Sequence, residues 1–131
     1  MKAVIDTNIL VSALWKKSGN AYFILSNVVV GKITPCYDFR MMKEYRDVLT
    51  RPKFKFPHVE VYVIFEILAH NGICVTATPL PSADVKDNDD RAFYEVAKFC
   101  NAPLVTGNIK HFPPDSLVMS PADFCSFYLR G

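Results

Sequence analysis

Short apolar runs of strand length alternate along this chain with stretches whose apolar residues recur at helical spacing. The links between successive apolar runs are too long for hairpins, and that single feature rules out most all-β arrangements. Lys2–Ile5, Ile33–Tyr37, Ile73–Thr76, Pro103–Thr106 and Ser116–Met119 read as strands. From Ala21 the apolar residues fall at Ala21, Ile24, Leu25 and Val28, and Gly31 ends that helix. Asp38 is placed to cap a helix with the stripe Met41, Tyr45, Val48 and Leu49, which Pro52 stops. Val61, Ile64, Phe65 and Leu68 predict a helix from Pro57 to His70; Phe93, Val96, Ala97 and Cys100 predict another, and a last one starts at Pro121. The alternation predicts an α/β fold, a three-layer α/β/α sandwich with a mostly parallel central sheet.

With 131 residues, half of them hydrophobic and 21% charged, the chain supports one core and is expected to be one domain over residues 1–131. No apolar run approaches the roughly 20 residues that span a bilayer; the longest, Val59 to Ala69, is broken by Glu60 and Glu66. Asp6 stands where a signal peptide would still be apolar, so a cytoplasmic location is expected. Cys36, Cys74, Cys100 and Cys125 show no C-x-x-C pair or zinc-ligand spacing and read as buried free thiols. Net charge is only +2, but it is unevenly spread. Residues 1–57 carry ten Lys and Arg against four acids, and residues 58–131 carry five against nine. A basic stretch beside an acidic cluster suits a polyanion held against a metal site.

In a parallel sheet the working groups stand at the carboxyl ends of the strands. Asp6 follows the first strand, where its carboxylate either caps the next helix or holds a cation. Glu44 flanks the buried stripe of its helix and is placed to point along the sheet edge toward Asp6. Asp87-Asn88-Asp89-Asp90 opens the helix that carries Phe93. A helix dipole is served by one acid, and three carboxylates within four residues repel one another unless a divalent cation relieves them. Thr106-Gly107-Asn108 follows the next strand, as a turn or as a source of an amide oxygen. Oxygen donors without a Cys or His set select Mg²⁺ or Mn²⁺ over zinc.

The order Val4-Ile5-Asp6-Thr7-Asn8, Met42-Lys43-Glu44-Tyr45, Asp87-Asn88-Asp89-Asp90, Leu104-Val105-Thr106-Gly107-Asn108 and Lys110-His111-Phe112-Pro113 resembles PIN-domain proteins over nearly the whole chain. The likeness is to the small prokaryotic VapC-like ribonucleases, the toxins of toxin–antitoxin pairs. It implies metal-assisted hydrolysis of RNA by Mg²⁺ or Mn²⁺, leaving a 5′-phosphate and a 3′-hydroxyl. It gives Asp6, Glu44 and Asp90 the catalytic places, with Asp87 and Asn108 added to the metal ligands. Thr7, Asn8 and Ser12 support the site through hydrogen bonds, and Arg46, Arg51, Lys53, Lys55 and His111 meet RNA. A small antitoxin and a second copy of the chain are the implied protein partners, with Phe124, Phe127 and Tyr128 offering apolar surface. The fourth acidic place is Asn108 here, which keeps a non-cutting RNA- or protein-binding module as the alternative. A haloacid-dehalogenase-type phosphatase would need Asp where Asn8 stands, and a receiver domain would need a phosphoacceptor Asp after a central strand.

Overall fold

A computed structural model describes residues 1–130. The elements run β1 (Lys2–Ile5), α1 (Thr7–Trp15), α2 (Gly19–Val29), β2 (Thr34–Tyr37), α3 (Phe39–Leu49), α4 (His58–Asn71), β3 (Ile73–Cys74), α5 (Arg91–Cys100), β4 (Leu104–Val105), β5 (Val118–Met119) and α6 (Pro121–Phe124). The five strands form one sheet in the order β3-β2-β1-β4-β5, and every pairing is parallel. The chain steps outward from β1 to β2 to β3 and then crosses back to β4 and β5. Because such crossovers are right-handed, the helices linking β1, β2 and β3 and the helix linking β3 to β4 fall on opposite faces, with α3 placed so that it also reaches α5. Accordingly α2 packs on α1, α4 and α6, while α5 packs on β1, β2 and β4.

The core is built where the apolar stripes meet the sheet. Ala3, Val4 and Ile5 of β1 are wholly buried, as are Leu104 and Val105 of β4. Met41, Tyr45 and Leu49 bury one side of α3, and Phe93, Val96 and Ala97 bury one side of α5. Tyr45 sits edge-on to Phe93 at 5.9 Å and donates its hydroxyl to the Ile5 carbonyl. That buried bond ties α3 to the last residue of β1.

Three expectations are corrected. The third strand is two residues, not four: one further bond, Val75 N to Tyr37 O, extends it before the proline-bearing segment of Pro79 and Pro81 leaves the sheet. The last strand is also shorter, because the Asp115 carboxylate takes the Leu117 amide and holds a turn there. Of the cysteines, Cys36 and Cys125 are buried, but Cys100 is half-buried and Cys74 is exposed on the edge strand. Phe124 closes the core, whereas Phe127 and Tyr128 remain exposed. Among the described residues, no helix is long and apolar enough to cross a membrane.

The join between α4 and β3 leaves no room for a side chain. A Cβ on Gly72 would stand 2.6 Å from the Pro35 carbonyl oxygen and also strike the carbonyl oxygen of Leu68, both fixed backbone atoms. Gly72→Ala is therefore expected to destabilise the protein by about 1–3 kcal/mol, as overpacking does. Urea unfolding midpoints measure this, and an unchanged midpoint would contradict the close approach of α4 to β2.

Candidate active site

Neighbouring strands β1 and β4 continue in opposite directions across the sheet, so a crevice opens between their carboxyl ends. Asp6 follows β1 and Thr106 follows β4, and the two side chains meet there. Thr106 Oγ1 donates to Asp6 Oδ2 at 2.6 Å, and the Thr7 amide donates to Asp6 Oδ1 at 2.8 Å. Asn8 Nδ2 reaches Asp6 Oδ2 at 3.5 Å, while Asn8 Oδ1 accepts the Gly107 amide at 3.3 Å. Thr106 Oγ1 in turn accepts the Asn108 amide at 2.9 Å. The two turns, Asp6-Thr7-Asn8 and Thr106-Gly107-Asn108, are thus clasped side chain to backbone. Asp6 is only 5% exposed and caps α1, so its capping and cation-holding roles are not exclusive.

Two more carboxylates reach the same edge. Asp90 ends a short 3₁₀ turn before α5, and its Oδ2 lies 3.1 Å from His111 Nδ1. Glu44, half-buried on α3, faces Asp89 and Asp90. All three acids are pushed above the ordinary carboxylate range. Burial is the largest cause for each; the Asp90 charge adds to it for Asp6 and Glu44, and Asp87 and Asp89 add to it for Asp90. Thr106 and His111 pull the other way for Asp6 and Asp90, and Arg51 does so for Glu44. Beside them lies a cleft of about 470 Å³ whose walls include Phe39, Lys43, Glu44, Arg51, Asp89 and Arg91.

The residues suit a hard divalent cation in donor chemistry: carboxylate oxygens from three separate segments, with the Asp90 charge acting on the other two. Next to Asp6, the buried Thr7 hydroxyl has no hydrogen-bond partner. Among the described residues, no three His, Cys, Asp or Glu side chains close on a common point. The donor set is therefore assembled but not drawn together.

Other residues singled out in the sequence fare differently. Thr7 supports Asp6 through its backbone amide and not through its hydroxyl. Asp87 is exposed and spends Oδ1 on the Asp89 amide, reaching Asp90 only through its charge. Asn108 joins the clasp by its amide, and its side chain makes no hydrogen bond to the acids. Ser12 is not brought to the site: it is exposed on α1, several residues beyond Asp6, in a groove with Trp15. Arg51 lines the acidic cleft, but Arg46 lies over the Phe65 ring, Lys53 over Phe54, and Lys55 is exposed beyond them. Sequence reasoning missed Thr106 as a partner of Asp6, although it stood in the quoted motif, and missed Asp89 as a neighbour of Glu44. It also missed the pairing of buried Glu95 with Arg40, which Asp38 shares.

A buried acid with a raised pKa stabilises the fold below its unfolded pKa, and that contribution is lost as pH rises through its folded pKa. Asp6→Asn keeps a side-chain oxygen for the Thr7 amide and removes the charge facing Asp90. Its expected effect at neutral pH without added metal is a gain of about 1 kcal/mol, with a flatter pH dependence above the ordinary carboxylate range. Mn²⁺ should raise the melting temperature of the wild type and leave the variant unchanged. Thermal unfolding with and without Mn²⁺ across pH checks both halves.

Comparison with known proteins identifies the family of the chain. A family model described as PIN domain matches residues 2–110. An uncharacterized protein of Methanocaldococcus jannaschii is 30% identical over 110 residues, which is 82% of this chain and 71% of that protein. No solved structure matches the chain. PIN domains are generally nucleases and typically use divalent metals. With the model covering most of its length and the acids at the expected sheet edge, this chain belongs to the PIN-domain family.

Proposed function

We infer that the protein is a Mg²⁺- or Mn²⁺-dependent endoribonuclease, and that it serves as the toxin of a toxin–antitoxin pair. One observation carries the enzymatic reading: Asp6, Glu44 and Asp90, from three distant segments, all have raised pKa values, and the Asp90 charge contributes to the rise in the other two. Carboxylates kept close against their own repulsion are a signature of a functional site. These three would hold the cation, which when bound supplies Lewis-acid stabilisation of phosphoryl charge and an activated water. Thr106 and the Thr7 amide fix the Asp6 carboxylate. His111 orients Asp90. Arg51 offers the phosphodiester backbone a guanidinium at the cleft wall. Cleavage would leave a 5′-phosphate and a 3′-hydroxyl.

The toxin role rests on the likeness to VapC-like ribonucleases. Its partners would be a small antitoxin and a second copy of the chain. Exposed Val29 and Val30 at the end of α2, with Val59, Tyr62 and Val63 on α4, supply apolar surface for such contacts. A non-cutting RNA-binding module is the second reading, favoured by the amide at Asn108 and by donors that do not close on one point.

Cleavage of single-stranded RNA by purified protein, with Mn²⁺ or with chelator, separates the two. Asp6→Asn should abolish metal-dependent cleavage and relieve growth arrest on expression. Thr106→Val, which only loosens Asp6, should cost about 10–100-fold in activity or metal affinity. Full cleavage by Asp6→Asn would sink the enzymatic reading. For the backbone contact, Arg51→Gln should lower the slope of log affinity against log salt by about one. Filter binding in chelator at several salt concentrations measures it, and an equal slope would remove Arg51 from the RNA path.

A further inference from the structure

Phe39 is 80% exposed, more than any other large apolar side chain among the described residues. Burying it would recover apolar area, yet it is the first residue of α3, directly after buried Asp38, and points into solvent at the carboxyl edge of the sheet. It lines two hollows at once. One is the acidic cleft with Glu44 and Asp89. The other is a recess of about 230 Å³ between the end of β2 and the segment after β3, walled by Val75, Ala77 and Pro79. The floor of that recess is the Arg40 guanidinium, which bonds Asp38 Oδ2 and Glu95 Oε1, both at 2.8 Å. Glu95 Oε2 is taken by the Leu80 amide at 2.7 Å. The floor is thus internally satisfied, planar and rigid, under apolar walls.

Resting on the ribonuclease reading, we propose that Phe39 is a stacking platform for one nucleobase of a single-stranded RNA whose phosphates run through the adjoining cleft. The recess is smaller than the roughly 300 Å³ at which drug-sized pockets begin, so it takes one flat ring and not a folded ligand. Charge selects the occupant. On the cleft side of Phe39, Arg40, Lys43, Arg51 and Arg91 outnumber Glu44, Asp47 and Asp89; Lys43 shares Asp47, and Arg91 also holds the Leu80 and Ala83 carbonyls. A strand drawn by those cations along the cleft carries its bases sideways, and Phe39 with Arg40 forms the wall they meet. Every base has a π-face, so the platform is sequence-tolerant. It favours unpaired over duplex RNA, whose bases stack on each other.

The test uses the full chain in chelator, so that binding is read without cleavage. Tryptophan occurs once in the sequence, at Trp15. In a Trp15→Phe background, Phe39→Trp places the only indole on the platform. A short oligoadenylate should quench its fluorescence, while an abasic ribose-phosphate oligomer of equal length should bind without quenching. Phe39→Ala and Phe39→Leu should weaken oligoadenylate binding about tenfold, and Phe39→Tyr should retain it. The salt slope should stay at the wild-type value in all three, because the ring neutralises no phosphate. Equal affinity in all three variants, or equal quenching by the abasic oligomer, would overturn the platform and leave Phe39 to a protein contact. If the oligonucleotide is bound and, with Mn²⁺, cut in that case, the ribonuclease reading survives alone. No binding or cleavage of RNA by wild type would overturn both.

Discussion

The hydrogen bond from Thr106 to Asp6 joins residues a hundred positions apart and closes the fold at its switch point. Its donor is wholly buried and its acceptor nearly so, in surroundings where an unpaired carboxylate would be expensive. With the Thr7 amide on the other oxygen, Asp6 has a partner at each oxygen and is oriented from the start of α1 and the end of β4. The bond therefore serves stability and site geometry together. It leaves the acid with a raised pKa, because burial outweighs the two donors and Asp90 adds its charge. Such a group gives up stability with rising pH and gains it on meeting a cation, so the resting protein is held short of its most stable arrangement.

The other acids are positioned through their neighbours. Tyr45, next to Glu44, donates to the carbonyl of Ile5, next to Asp6, and so fixes α3 against the end of β1. The same ring packs edge-on against Phe93, one turn into the helix that Asp90 precedes. Farther out, Arg40 links Asp38 at the start of α3 to Glu95 of α5. A pair whose carboxylates are buried contributes little net stability by itself, but removing one partner strands a buried charge. Its effect here is geometric: it binds together α3, which carries Glu44, and α5, which Asp90 precedes.

The elements whose signals are local were legible in the sequence. β1 is an apolar run that an acid ends, α3 carries a cap and a periodic stripe, and α5 carries its stripe behind an acidic turn; each formed as expected. The parallel sheet followed from connection length alone. What was not legible depends on partners far away in the chain. Nothing within Thr106-Gly107-Asn108 says that the hydroxyl faces Asp6, and nothing within α5 says that Glu95 turns inward toward Arg40. Strand ends also escaped, because the Asp115 carboxylate takes the Leu117 amide, and Pro79 and Pro81 after β3 have no amide to give a ladder. Ser12 was assigned through the resemblance; one helical turn beyond Asn8 it shares that side of α1, but the rise of the helix carries it away from the sheet edge, where it lies exposed beside Trp15.

Placement of the basic residues has a consequence for how a polyanion approaches. Arg46 and Lys53 sit over aromatic rings, Phe65 and Phe54, where their stems cover apolar surface and their charges stay at the rim. Arg51 instead enters the acidic cleft and lowers the Glu44 pKa against the pull of Asp89. The rim charges attract a phosphate backbone from a distance, and that attraction weakens with salt over about 8–10 Å. The cleft walls carry Glu44, Asp47 and Asp89 against Arg40, Lys43, Arg51 and Arg91, so the cleft itself does not exclude a phosphodiester. Repulsion is left where the Asp90 charge raises the pKa of Asp6 and Glu44. If the chain acts on RNA as proposed, a cation would be needed among those acids, and Arg51 would take the backbone beside it.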